Sequence, residues 1–157
     1  MSRNSVTIIP HGSGDTEEIT LGEDGFFPSL SSNEFRDVMR VTAVITDARV
    51  KSALISARLK IGADLKSLIQ THIAYDALDD VPAEGIDGVS VLTHRYRMAV
   101  YNEAKATLTE RYRDIDSTQS GHDEADKLDA TIDDYRQVSR EHIRALLGKP
   151  RATVELL

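Results

Sequence analysis

The chain reads as an all-α bundle of three longer helices and one short helix, with an extended amino-terminal arm and a strand-like carboxy-terminal tail. Three observations predict this. Apolar residues recur at alternating steps of three and four along three long stretches. Capping residues stand where those stretches begin, with Gly or Pro where they end. The only strand-like runs are short and lie near the two ends of the chain.

Residues 5–10 (SVTIIP) form a brief strand-like run and residues 11–15 (HGSGD) a turn by their Gly and Ser content, so residues 1–25 are expected to be an arm. Residues 26–148 form the helical domain. Phe26-Phe27-Pro28 sets two of the three phenylalanines beside a helix breaker. Ser31 and Glu34 then make a capping-box pattern opening a short helix with Phe35, Val38 and Met39 inward. Thr46 caps the next helix. Its stripe is Val50, Leu54, Ala57, Ile61, Leu65 and Leu68, and it is expected to run to about His72 or Tyr75.

Pro82, Gly85 and Gly88 break the pattern, and Asp87-Gly88 reads as a tight turn. Ser90 caps a third helix carrying Leu92, Tyr96, Ala99, Val100, Ala104 and Leu108 on one side and ending near Arg113. A polar loop over residues 114–121 leads to the fourth, with Leu128, Ile132, Tyr135, Val138, His142 and Leu146 in line. Gly148 is the expected left-handed cap and Pro150 forbids continuation. Residues 149–157 alternate as an exposed strand does, which makes them a docking tail.

The 157 residues fit one domain with a real core, and the absence of cysteine excludes disulfides and thiolate chemistry. No apolar run approaches the roughly 20 residues that cross a bilayer, and no basic-then-apolar leader opens the chain, so a soluble, non-exported protein is expected. The formal charge of −7 is unevenly spread: residues 76–90 hold five acids and no base. A net acidic chain argues against a dedicated nucleic-acid binder, whose affinity comes largely from neutralising phosphates.

Catalytic arrangements fail on spacing. The five histidines lie at least 20 residues apart and none follows an acid by three, so no zinc helix or di-iron Glu-x-x-His exists. Asp114, Asp116 and Thr118 resemble the start of a calcium loop, but Gln119 and Ala125 hold its glycine and bidentate positions. Gly148-Lys149 precedes a proline and follows a helix, so it is a helix stop and not a phosphate loop. No metal, cofactor or catalytic residue is expected.

Four blocks remain: residues 81–88 (VPAEGIDG), 110–116 (ERYRDID), 126–134 (DKLDATIDD) and 148–151 (GKPR). In this order and at these separations, with Phe26-Phe27-Pro28 upstream, the chain resembles the head completion (GpL) family of contractile-tailed temperate phages. The resemblance covers about residues 26–157. It implies a non-enzymatic, all-helical virion adaptor that binds the portal ring after DNA packaging, stabilises the filled head and forms the platform for tail attachment.

The implied partners are the portal protein, a tail or second head completion protein, and copies of itself in a dodecameric ring. DNA would be passing cargo, and no membrane is involved. The implied place is the head–tail junction of a virion assembled in the host cytoplasm. On this resemblance the expected contact residues are Phe26, Phe27, Pro28, Lys149, Arg151, Val154, Leu156 and Leu157. If the ring encircles DNA its wall should be acidic, which selects Asp79, Asp80, Glu84 and Asp87 as lining. The competing reading is a DNA-binding regulator using the short helix and the Thr46 helix as a helix-turn-helix. It must accommodate the five-residue spacer 41–45 and the net acidity.

Overall fold

The computed structural model describes residues 18–22, 25–116 and 122–149, the side chains of 112–116 and 122–130 excepted. Two short strands, β1 (Thr20–Leu21) and β2 (Leu30–Ser31), precede helices α1 (Ser32–Met39), α2 (Asp47–Asp64) and α3 (Lys66–Thr71). A single 3₁₀ turn (Leu78–Asp80), the strands β3 (Gly85–Ile86) and β4 (Val89–Ser90), and the long helices α4 (Val91–Asp116) and α5 (His122–Leu146) complete the order. The fold is mainly helical, as expected, but it also holds two small antiparallel sheets. A pair of two-residue strands is too short to write an alternating pattern into the sequence.

The first sheet pairs Thr20 with Ser31 and Leu21 with Leu30. It draws part of the segment read as an arm against the domain. The Ile19 N–H donates to Ser32 Oγ at 2.9 Å, and the Ser32 N–H returns to the Ile19 carbonyl at 3.0 Å. The Ser31 hydroxyl accepts from the Glu34 N–H at 3.2 Å, so the expected cap forms. Its reciprocal half does not, because the Glu34 carboxylate instead accepts from the Tyr101 hydroxyl at 2.8 Å and ties α1 to α4. Phe35 and Met39 face inward, whereas Val38 is 49% exposed, a correction to the expected stripe.

Arg36 closes the linker that follows. Its guanidinium donates to the carbonyls of Thr42 and Ile45 and reaches Asp47 Oδ1 at 2.6 Å, the acid in the first turn of α2. Thr46 stands at the cap position but makes no side-chain cap bond. The stripe from Val50 to Leu68 is buried as predicted. The helix is not continuous to His72, however: Leu65 (φ −94°, ψ 11°) interrupts it. Gly62 and Asp64, both weak helix formers, precede the interruption. Leu65 still donates its N–H to Ile61, so its side chain stays in the core while the helical ladder resets.

Asp87 (φ 50°) and Gly88 (φ 74°) form the tight turn expected of them, and it closes the β3–β4 hairpin with both central residues in the left-handed region. Ser90 Oγ accepts from the Leu92 N–H at 3.3 Å, which starts α4 where expected. That helix runs three residues past the predicted end. It is the centre of the molecule, packing against α5, α2 and α1. On α5, Ile132, Ile143 and Leu146 are buried, while Val138 is turned out at 36% exposure. Ser139 takes its place, because residues seven apart return to the same face and Ser139 lies midway between Ile132 and Leu146. Leu128 has its side chain outside the described residues.

Gly148 (φ 65°) ends α5 as predicted. Its N–H donates to Ala145 and the Lys149 N–H to Arg144 at 2.9 Å, which together make a Schellman cap.

Two buried tyrosines should respond oppositely to loss of the hydroxyl. Tyr96 is fully buried, its hydroxyl has no hydrogen-bond partner among the described residues, and burial pushes its pKa up to about 12. Tyr101 gives its proton to a carboxylate. By urea denaturation, Tyr96→Phe is expected to be neutral or stabilising by up to about 1 kcal/mol and Tyr101→Phe destabilising by about 1–2 kcal/mol. The reverse order would contradict this assignment.

Candidate interaction surface

The antiparallel pairing of α4 and α5 decides which end of the molecule gathers the candidate residues. Arg136 reaches Glu110 at 2.7 Å, Ser139 donates to the Ala99 carbonyl at 2.9 Å, and His142 lies within electrostatic reach of Arg95. The end of α5, with Gly148 and Lys149, therefore lies where α4 begins. The acidic loop 76–90 leads into that same point. Phe26 joins it too, because the Leu78 N–H donates to the Phe26 carbonyl at 2.8 Å. The Phe26 segment, the acidic loop and Lys149 thus lie at one end of the bundle.

Their roles within that end differ. The Phe27 ring stacks on Tyr96 with centroids 4.7 Å apart and planes 5° from parallel, and Phe26 meets it edge-on at 5.4 Å. Phe27 is buried, and Phe26 and Pro28 are half-buried. This segment fastens the loop to the core rather than presenting rings to solvent. Residues 82–88 are all exposed, including Glu84, Asp87 and an apolar tip, Ile86, at 52% exposure. Asp80 is exposed as well. Asp79 has a different task, since its carboxylate accepts from the Thr93 hydroxyl and clips the turn to α4.

Backbone bonds hold the loop in place. The Val91 N–H donates to the Glu84 carbonyl at 2.9 Å, and a His94 ring nitrogen lies 3.2 Å from the Ile86 carbonyl. Through Thr93, the Asp79 carboxylate lies at the first turn of α4, where the helix dipole is positive and favours an acid. Lys149 is exposed at the close of α5. Arg151, Val154, Leu156 and Leu157 lie outside the described residues.

Sequence reasoning missed Ile86 as a surface residue. Its signal was available: one aliphatic side chain in an otherwise acidic, Gly-rich turn. It also missed exposed aliphatic residues on α2 (Ile55, Leu59), on α3 (Ile69) and in the turn after α3 (Ile73). Among the described residues there is no group of acids and histidines that could hold a metal, and no helix is long and apolar enough to cross a membrane.

Comparison with known proteins agrees with the resemblance drawn from the sequence. Residues 21–157 match the model of the phage head completion protein (GPL) family. Over 156 residues the chain is 34% identical to the head completion/stabilization protein of Escherichia phage P2, an alignment covering 98% of this chain and 91% of that one. No solved structure matches it significantly.

His142 gives this end of the bundle a pH dependence. Its Nδ1 is buried without a partner, and burial, reinforced by Arg95, lowers its pKa from the ordinary 6.5. The unfolded chain therefore takes up this proton first, so stability should fall as pH drops through about 6.5 and level off below the folded value. Thermal midpoints of wild type and His142→Gln between about pH 5 and 8 test it. A difference between them that does not change with pH would refute the assignment.

Proposed function

The chain belongs to the phage head completion (GPL) family, one of structural phage head proteins, and on that premise we propose that it is the adaptor between portal and tail. In this reading it binds the portal ring after packaging, closes and stabilises the filled head, and presents the platform for a tail or second head completion protein. Copies of the chain form a dodecameric ring at the head–tail junction, assembled in the host cytoplasm. DNA is its passing cargo.

The observation that carries this reading is the gathering of the exposed acidic hairpin and the point of departure of residues 149–157 at one end of a rigid bundle. One end can then do two jobs. The hairpin, with Asp80, Glu84 and Asp87, faces the duplex and repels it, which lets DNA slide without counterion release. Residues 149–157, starting from a fixed Schellman cap, reach the portal or a neighbouring subunit by strand addition, with Val154, Leu156 and Leu157 as the side chains to bury. Phe26, Phe27 and Pro28 hold the hairpin in register with that tail, and Lys149 and Arg151 supply charge beside it.

Purified portal provides the direct test. A chain truncated after Gly148 should keep its helix content and melting temperature and lose capture by portal. Unfolding of the truncated chain would place the tail in the core, and undiminished capture would remove it from docking.

The hairpin is tested separately with Asp80, Glu84 and Asp87 all replaced by Lys. Asp79 is left in place because its change would release the Thr93 clip. DNA ejection from virions carrying the variant should slow by about tenfold or more, and more so at low salt, where unscreened lysines bind the duplex most strongly. Unchanged ejection would remove the hairpin from the channel.

A further inference from the structure

Residues 18–22 lie across the helical domain as a strap. The Ser31 hydroxyl donates to the Glu18 carboxylate at 2.6 Å, Ile19 bonds Ser32 through both its N–H and its carbonyl, and half-buried Leu21 packs against the core. Ser32 needs this strap. It is fully buried, and as the first residue of α1 it has no helical acceptor for its N–H, which the Ile19 carbonyl supplies.

The strap ends beneath Arg58 of α2. Its Nη1 donates to the carbonyls of Leu21 and Pro28, each at 3.5 Å. These bonds are long, and fit adds to them: Gly22 is in the left-handed region (φ 79°), and a Cβ built on it would fall inside the Arg58 guanidinium. The planar group lies there only because Gly22 has no side chain. Arg58 thus joins the strap to residues 26–28. Those residues hold the acidic turn in their own way, since the Phe26 carbonyl accepts from the Leu78 N–H at 2.8 Å and Phe27 stacks on Tyr96, which is itself within electrostatic reach of Arg58. The turn that follows carries Asp79 and Asp80 and is clipped to α4 through Thr93.

From this chain of contacts we infer that the strap and the acidic turn at residues 78–81 open as one unit, bolted by Arg58, before the helical bundle does. Both ends of the unit rest on two-residue strands or a single 3₁₀ turn, whereas residues 99–104 of α4 are buried all round. Drawing the residues ahead of Gly22 off β2 therefore frees Asp79 and Asp80 from α4. Gripping those acids tightens the strap in return, because coupling between two sites is reciprocal. The device goes beyond the adaptor reading and stands without it: it makes the acidic turn answer to any extended strand that displaces β1 from Leu30–Ser31.

Amide hydrogen exchange of the full-length protein, read residue by residue by NMR, tests this. In the wild type the amides of Ile19, Ser32, Leu78 and Val81 should share one protection factor, lower than that of residues 99–104. Arg58→Met keeps the apolar stem and removes the guanidinium, and it should lower all four about tenfold or more. Two further variants perturb one end and are read at the other. Ser32→Ala removes the acceptor of the Ile19 N–H and should lower protection of Leu78 and Val81 about fivefold. Thr93→Val removes the donor to Asp79 and should lower protection of Ile19 and Ser32 by a similar factor. Unchanged circular dichroism verifies folding of each. A variant that moves only the amides at its own end would overturn the inference, as would Arg58→Met leaving Leu78 unchanged. The wild-type pattern can overturn it alone, if Leu78 and Val81 are as protected as residues 99–104 and so open only with the whole bundle.

Discussion

Between Ala99 and Ala104 every residue of α4 is buried, so this stretch of helix has no face to give to water and needs a partner on each side. A helix buried all round must lie at the centre. The rest of the chain supplies the partners: α5 brings Ser139 to the Ala99 carbonyl, α1 brings Glu34 to Tyr101, and α2 brings Lys60 to Glu103 at 2.6 Å. The last pair shows how strict the demand is. The Glu103 side chain is 8% exposed and would be costly there alone, while the Lys60 ammonium keeps one side in water at 55% exposure. Asn102 meets the same demand locally, returning its amide to the Met98 carbonyl at 2.8 Å.

Which parts of this were legible follows from the range of the forces involved. Helix stripes, the Ser31, Ser90 and Gly148 caps and the Asp87-Gly88 turn are set by residues within a few positions of one another, and all were readable. The outward turn of Val38 and Val138 and the pairing of Thr20–Leu21 with Leu30–Ser31 depend on what packs from elsewhere in the chain. Val138 is instructive. Hydrophobicity placed it on the stripe, yet the buried position went to Ser139, whose small side chain allows α5 close to α4 and whose hydroxyl finds a carbonyl there.

The candidate surface was legible as residue types and not as a place. Acids in residues 76–90, the Phe-Phe-Pro segment and the tail after Gly148 stand far apart in sequence. Only the antiparallel course of α4 and α5 and the Leu78 to Phe26 hydrogen bond bring the acids, the Phe-Phe-Pro segment and Lys149 to one end. The sequence also could not say that Phe27 is committed to Tyr96 or that Asp79 is committed to Thr93. Both residues look available from composition alone. Both are in use as fasteners for the loop whose remaining acids are exposed.

Fastening matters because an exposed loop with few buried contacts is among the first parts of a fold to open. Among the described residues the hairpin pairs with no further strand, and a two-stranded hairpin is marginal on its own. Its support comes from outside: the Asp79 clip and the Glu84 carbonyl hold the segment that leads into β3 to the first turn of α4, Val81 is buried, and the Phe27–Tyr96 stack anchors the chain beneath. Since α4 is itself fixed on three sides, force on the hairpin passes into the whole bundle and not into one loop. The exposed acids of this loop are thereby connected to the stretch of α4 that is buried all round.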